Sequence, residues 1–330
     1  MRLSVILAAF LCLMNLPAFA ACTGNSYADS LDQTERAALD ARVAAMPFAK
    51  GLFWEARKDG AVVTVIGTMH INDPRLVPLA EQLRGVVESA DLLLLEATAQ
   101  EEALLQQMML DDPSILFITD GPTLPEVLDE TTWQAVTAAA ADRGIPGFVA
   151  AKMQPWYLST MLAIPACAMA DIMAGQRGLD HMLMAIADQA DVPMRALEPH
   201  TTLFNLLGQD PLADQLDMLR LNLLARDLHE QMFVAMLDSY FAQEIGTLWE
   251  LNRTAMMTIP DLPPQQALTM FDRMEEALLT IRNQNWLPVI TGAAKADQSI
   301  VVAVGAAHLI GAEGVLQLLQ DSGWTVAPLY

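Results

Sequence analysis

The sequence predicts an α/β (α+β) fold: a central, mostly parallel sheet made by two similar strand, Gly-x-x-His, helix halves, with a large helical insert between them. Three observations predict it. Apolar runs bounded by turn signals, Ala61 to Ile66 (broken only by Thr64), Leu92 to Leu95 and Ile300 to Val304, read as strands buried on both faces. Helical periodicity separates the first two, with Leu76, Leu79, Leu83, Val86 and Val87 on one face. The same succession of strand, Gly-x-x-His, helix and strand stands near both ends of the chain, at Gly67 to His70 and at Gly305 to His308.

Taken in order, Arg2 precedes an apolar run from Leu3 to Met14, and Pro17-Ala18-Phe19-Ala20 offers an A-x-A cleavage site. Residues 1–20 therefore read as a secretory signal peptide and 21–330 as one domain, periplasmic or secreted. The run falls short of the ~20 residues a transmembrane helix needs, and no later stretch is long and charge-free enough to span. Ala20-Ala21-Cys22 also resembles the end of a lipoprotein signal, which would lipidate Cys22, although Phe19 stands where Leu is preferred. After processing, Cys22 and Cys167 remain, and in an oxidising compartment such a pair reads as one disulfide. A reactive or metal-bound cysteine would want a Cys-x-x-Cys or a nearby histidine, and neither thiol has one.

Residues 22–50 read as one or two lead-in helices. Leu52 to Ala56, the turn Asp59-Gly60 and the Ala61 to Ile66 run read as a β-hairpin. Strand, helix and strand from Ala61 to Leu95 read as a parallel pair ending at Glu96. The middle is mostly helical: Glu101 to Leu110, Thr131 to Asp142, Ala150 to Met169 interrupted near Pro155, Leu179 to Ala190, Leu212 to about Ile259, and Pro264 to about Leu287. A short strand, Pro193 to Glu198, interrupts them and again ends on a carboxylate. The methionines of these helices read as adaptable core. The chain closes with strand, Gly305-Ala306-Ala307-His308, a helix from Ala312 to Gln320 and a last strand from Trp324.

A formal charge of -22 argues against nucleic acid or an anionic membrane as partner, because phosphate binding needs clustered Lys and Arg. In open α/β sheets ligand-binding groups collect at the carboxyl ends of the strands, where His70, Glu96, Glu198 and His308 all fall. Gly67 and Gly305 let the chain turn off each strand and let backbone or ligand approach. Two imidazoles and a carboxylate suit a divalent Zn, Mn, Fe or Co ion, which would activate water and polarise a carbonyl. The bland reading is a hydrogen-bonded structural histidine and a helix-capping glutamate at each place. His181, His200 and His229 lack the strand-end context and read as structural, with His200 beside Glu198 the one candidate for a supporting contact.

With these residues in hand, the chain resembles the TraB/GumN family, relatives of the Tiki metalloproteases. The resemblance is carried by Ile66-Gly67-Thr68-Met69-His70, Leu94-Leu95-Glu96, Gly178-Leu179-Asp180, Leu197-Glu198, Arg282-Asn283 with Trp286, Val304-Gly305-Ala306-Ala307-His308-Leu309, and the stretch from Ala151 to Leu158. It implies a fold shared with erythromycin esterases and haem-binding ChaN proteins, and metal-dependent proteolysis using His70, His308 and Glu96. Arg282 would stabilise an oxyanion or instead pair with Glu96 or Glu198. Trp286, one turn further on, reads as packing, and Pro288 threatens to end their helix early. The expected function is an exported metal-dependent hydrolase acting on a peptide or small molecule, with Glu96 as ligand or general base. The alternative is a non-catalytic haem- or metal-binding protein.

Overall fold

Asp59 and Gly60, both at positive φ (49° and 82°), close a tight hairpin between β1 (Phe53–Lys58) and β2 (Ala61–Thr68), as the Asp-Gly pair requires. These strands open the described part of the fold. The computed structural model describes residue 22 and residues 24–208 and 210–330. The signal segment expected at 1–20 lies outside the described residues.

The other strands are β3 (Leu92–Leu95), β4 (Met194–Ala196), β5 (Ser299–Gly305) and β6 (Thr325–Pro328). They form one six-stranded sheet in the order β4-β3-β5-β2-β1-β6. β4, β3, β5 and β2 run parallel, while β1 is antiparallel to both of its neighbours. The mixed α/β class and mostly parallel sheet are therefore as expected.

One pairing differs from expectation. β2 and β3 are parallel but not adjacent, because β5, from the far end of the chain, lies between them. A strand apolar on both faces gains most from the middle of a sheet, and Ile300 to Val304 are each no more than 1 % exposed. The insertion aligns the two motif-bearing strands, with Gly67 opposite Val304 and Thr68 opposite Gly305.

The helical regions follow the predicted segments with finer breaks. The span expected from Leu212 to Ile259 is three helices, Leu212–Leu224, Arg226–Phe241 and Ile245–Met256. Pro288 does not end its helix, which runs Ile281–Ala293 and follows a π-helical turn, Glu276–Thr280. Trp286 and Ile290, fully buried on either side of the proline, hold the helix across the hydrogen bond that proline cannot donate.

The main core covers the sheet. The insert builds a second cluster of its own around Leu124, Val136, Leu158 and Leu219. Cys22 and Cys167 form a disulfide that ties the N-terminal arm to the Ala166–Met173 helix. Because a sulfur makes one such bond, this pairing and lipidation of Cys22 exclude each other. No single helix among the described residues is long and apolar enough to cross a membrane.

Candidate functional site

Both Gly-x-x-His motifs lie at the carboxyl end of the sheet, but the glycines act through space rather than through turning. Neither is at positive φ. A Cβ on Gly67 would stand 3.1 Å from the side chains of Leu309 and Leu52 and 3.2 Å from Ala306 Cα, so this glycine lets the two motifs pack together. A Cβ on Gly305 would stand 3.2 Å from Glu96 Oε1, 3.5 Å from His70 Nε2 and 3.6 Å from His308 Cδ2. The missing side chain at 305 is thus the common ground on which the carboxylate and both imidazoles meet.

Each histidine is aimed by a partner at Nδ1. His308 sits in a short 3-10 turn directly after β5, and its Nδ1 is 2.6 Å from Asn283 Oδ1. Because an amide oxygen only accepts, Nδ1 carries the proton and Nε2 is left with its lone pair. His70 Nδ1 lies 3.4 Å from Asp180 Oδ2. The two Nε2 atoms then stand 3.8 Å (His70) and 3.9 Å (His308) from Glu96 Oε1. The side chain of His308 is 5 % exposed and that of His70 58 %, so the site opens to solvent on the His70 side.

Arg282 fills the other side of this cluster. Its Nε donates to Glu198, its Nη2 to Glu96 Oε2 at 2.5 Å and Glu198 Oε1 at 2.6 Å, and its Nη1 to Leu278 O and toward His308 Nε2. That commits all five guanidinium N–H bonds. The π turn just before Arg282 supplies the Leu278 carbonyl, a local irregularity of the kind that collects at functional sites. Of the two roles expected for Arg282, the geometry is that of the ion pair, made with both glutamates at once. Trp286 is fully buried, donates Nε1–H to Glu198 Oε2 and lays its ring against His308, 4.4 Å between centroids.

The electrostatics follow from these contacts. Burial would raise the Glu96 carboxyl, but the His308 and His70 imidazoles, the Arg282 guanidinium and the Gly305 N–H outweigh it and hold it below the usual carboxylate range. Burial, aided by Arg282, pushes His308 down to about 3, so its imidazole is neutral. The protein crowded around His70 also disfavours charge, yet the Asp180 hydrogen bond and the Glu96 and Asp180 charges prevail and raise it to about 9. Asp180 is buried against charge but is held well below the usual carboxylate range by His181 and His70.

With the two strand-end motifs joined at one carboxylate, the comparison with known families is decisive: residues 52–328 match the TraB/PrgY/gumN family. The chain belongs to that family. No curated protein matches it. The fold elements described for this TraB/PrgY/gumN protein lie almost wholly inside the matched span, which begins at β1 and ends at β6.

Sequence reasoning named His70, Glu96, Glu198, Arg282 and His308, and the structure brings all five together. It did not name Asp180, Asn283 or the pair His181–Glu102 as part of the site. Asp180 Oδ2 is 2.9 Å from His181 Nδ1, and His181 Nε2 is 2.7 Å from Glu102. The available signals were the Gly178-Leu179-Asp180 and Arg282-Asn283 segments, which carry no recognisable chemistry by themselves. Gly178 explains the first. Its α-carbon packs on the Met69–His70 backbone, and Leu179 N donates to Met69 O, so the start of the Leu179–Gln189 helix is clamped beneath His70.

Among the described residues no group of three or more His, Cys, Asp or Glu side chains is arranged as it stands to hold a metal ion. The donor chemistry nevertheless fits a divalent ion. Donors about 2.1 Å from one cation lie roughly 3 to 4 Å apart, as the imidazole nitrogens do from Glu96 Oε1. Imidazoles held at Nδ1 by a carboxylate and an amide are the usual supports of metal-binding histidines. Glu96, Glu198 and Asp180 set three carboxylates against Arg282 and the His70 imidazole, whose proton a bound cation would replace.

Proposed function

We propose that this site is the active centre of an exported, metal-assisted hydrolase that cleaves a peptide or a similar carbonyl compound. The observation that carries the reading is the presentation of two oriented imidazoles, through Nε2, to one oxygen of Glu96. His70, His308 and Glu96 are the residues that would hold the ion. When bound, a divalent cation there polarises a scissile carbonyl and makes water nucleophilic near neutral pH.

The remaining work falls to the chain itself. Asp180 and Asn283 fix the tautomers and directions of the imidazoles. Arg282 locks Glu96 and Glu198 and cancels part of their repulsion. Glu96 Oε1, which both imidazoles face while Arg282 holds Oε2, is placed to act as a ligand. Substrate reaches the centre from the exposed side of His70, because His308 is sealed beneath Trp286. Export is supported by the Cys22–Cys167 disulfide, which belongs to an oxidising compartment.

The test is elemental analysis of the purified protein together with hydrolysis of an unstructured peptide before and after chelation. The expected result is one equivalent of a divalent metal, activity lost on chelation, and loss of both in His70→Ala and His308→Ala. Full activity in either variant, or activity indifferent to chelator, rejects the reading. A Soret band on adding haem, with no turnover, favours a haem-binding protein instead.

A further inference from the structure

One polar group at the sheet end is unused by the contacts above. Thr68 is 2 % exposed, and its Oγ1 is buried without a hydrogen-bond partner among the described residues. Buried hydroxyls are nearly always paired, because an unpaired one forfeits its hydration without replacement. Such a group held on a regular strand calls for a reason.

The register says which face of the sheet Thr68 presents. Thr68 is the parallel partner of Gly305, and paired residues of neighbouring strands project to the same face of a sheet. The Cβ direction of Gly305 leads to Glu96 Oε1, His70 Nε2 and His308 Cδ2. Thr68 therefore projects to the face on which the carboxylate and the imidazoles converge. A second buried atom there is also unpaired, Asp180 Oδ1, whose other oxygen contacts His70. A hydroxyl donor and a carboxylate acceptor that both lack partners are not bonded to each other.

We propose that Thr68 is a substrate-positioning residue whose Oγ–H donates to an acceptor oxygen of a ligand bound over His70, the carbonyl oxygen of a peptide-like molecule. The identity of that ligand rests on the hydrolase reading; the face of the sheet that Thr68 presents does not. Arg282 is poorly placed to serve a carbonyl oxygen there, because four of its five N–H bonds go to Glu96, Glu198 and Leu278 O and the fifth points at the buried His308 Nε2. A β-branched side chain on a strand is well suited to the task, since its rotamer is already restricted.

The experiment compares the full chain with Thr68→Val, which keeps the shape without the hydroxyl, and Thr68→Ser, which keeps the hydroxyl. Melting temperature is measured together with kcat and KM on an unstructured, fluorophore-quenched decapeptide in the presence of Mn²⁺. The proposal expects Thr68→Val to melt no lower than the parent while kcat falls about 100-fold and KM moves little, as for loss of one transition-state donor. Thr68→Ser should recover most of that loss. Unchanged kcat in Thr68→Val, or an equal loss in Thr68→Ser, overturns it. If the parent chain hydrolyses nothing, the hydrolase reading fails separately, and calorimetry with acetohydroxamate decides on Thr68. Binding at least tenfold weaker in Thr68→Val than in the parent and Thr68→Ser supports the donor; equal binding, or none to any of the three, overturns it.

Discussion

Gly178 lies so close to Met69 that a Cβ at position 178 would stand 1.9 Å from the Met69 carbonyl oxygen. The contact is backbone against backbone, so no rotamer change can relieve it. Two residues on, Asp180 receives its position beneath His70 from this contact. Gly178→Ala should therefore destabilise the protein by about 3 kcal/mol or more, the upper end of overpacking costs. Metal content should fall with it, as Asp180 moves off His70 Nδ1. Urea denaturation with parallel elemental analysis checks this, and a variant as stable as the parent would show that the loop gives way freely.

Arg282 separates two glutamates that are each largely buried, with side chains 15 % (Glu96) and 11 % (Glu198) exposed. Removing the cation leaves like charges together in a poorly solvated place. Arg282→Met should cost about 4 kcal/mol, in the range for breaking a buried ion pair. Adding Glu198→Gln to that variant should restore part of the loss, because one of the stranded charges is then gone. Lysine has three donors on a point charge and cannot serve two carboxylates and a carbonyl in one plane, so Arg282→Lys should recover less than half. Urea midpoints of the four proteins provide the measurement.

The strand-end histidines were legible because their surroundings are unambiguous: an apolar run too short for a helix, then a glycine, then an imidazole. Glu96 and Glu198 were legible because each is a carboxylate that directly ends a short strand-like run. Asp180 was not, because an acid in the first turn of a helix is favoured by the helix dipole whether or not it supports a histidine. The place of β5 between β2 and β3 was also hidden. A strand apolar on both faces is compatible with any interior position, and its neighbours are chosen by the packing of the whole sheet. Pro288 misled in the opposite sense, since a local helix breaker was overruled by the burial of Trp286 and Ile290 around it.

Asn283 is 2 % exposed and uses both ends of its amide, one as acceptor and one as donor. Its Oδ1 accepts from His308 Nδ1, and its Nδ2 donates to Glu313 O at 2.8 Å. Asn283→Ala strands a buried imidazole N–H and a carbonyl, so a loss of about 2–3 kcal/mol is expected. Asn283→Asp keeps the acceptor but sets a carboxylate oxygen against the Glu313 carbonyl, and it should not restore stability fully. Guanidinium denaturation of the two variants tests the assignment of the His308 tautomer. An alanine variant of parental stability would place the Nδ1 proton elsewhere.

His229, on the Arg226–Phe241 helix away from the paired motifs, gives the fold its own pH dependence. Burial, aided by the nearby Arg143 charge, lowers its pKa from 6.5 to about 4, and its Nδ1 is buried without a hydrogen-bond partner among the described residues. The unfolded chain therefore binds a proton below pH 6.5 that the folded chain refuses until about pH 4. Stability from this group is complete above pH 6.5, declines as pH falls through that window, and is gone below about 4. Discounted for partial exposure, the contribution is on the order of 2 kcal/mol. His229→Gln cannot take up that proton. The difference in urea midpoint between the parent and this variant should narrow or reverse from pH 7 to pH 4.5, whatever other histidines do, because they are common to both. Midpoints that stay parallel over that range would mean that His229 charges as readily in the fold as outside it.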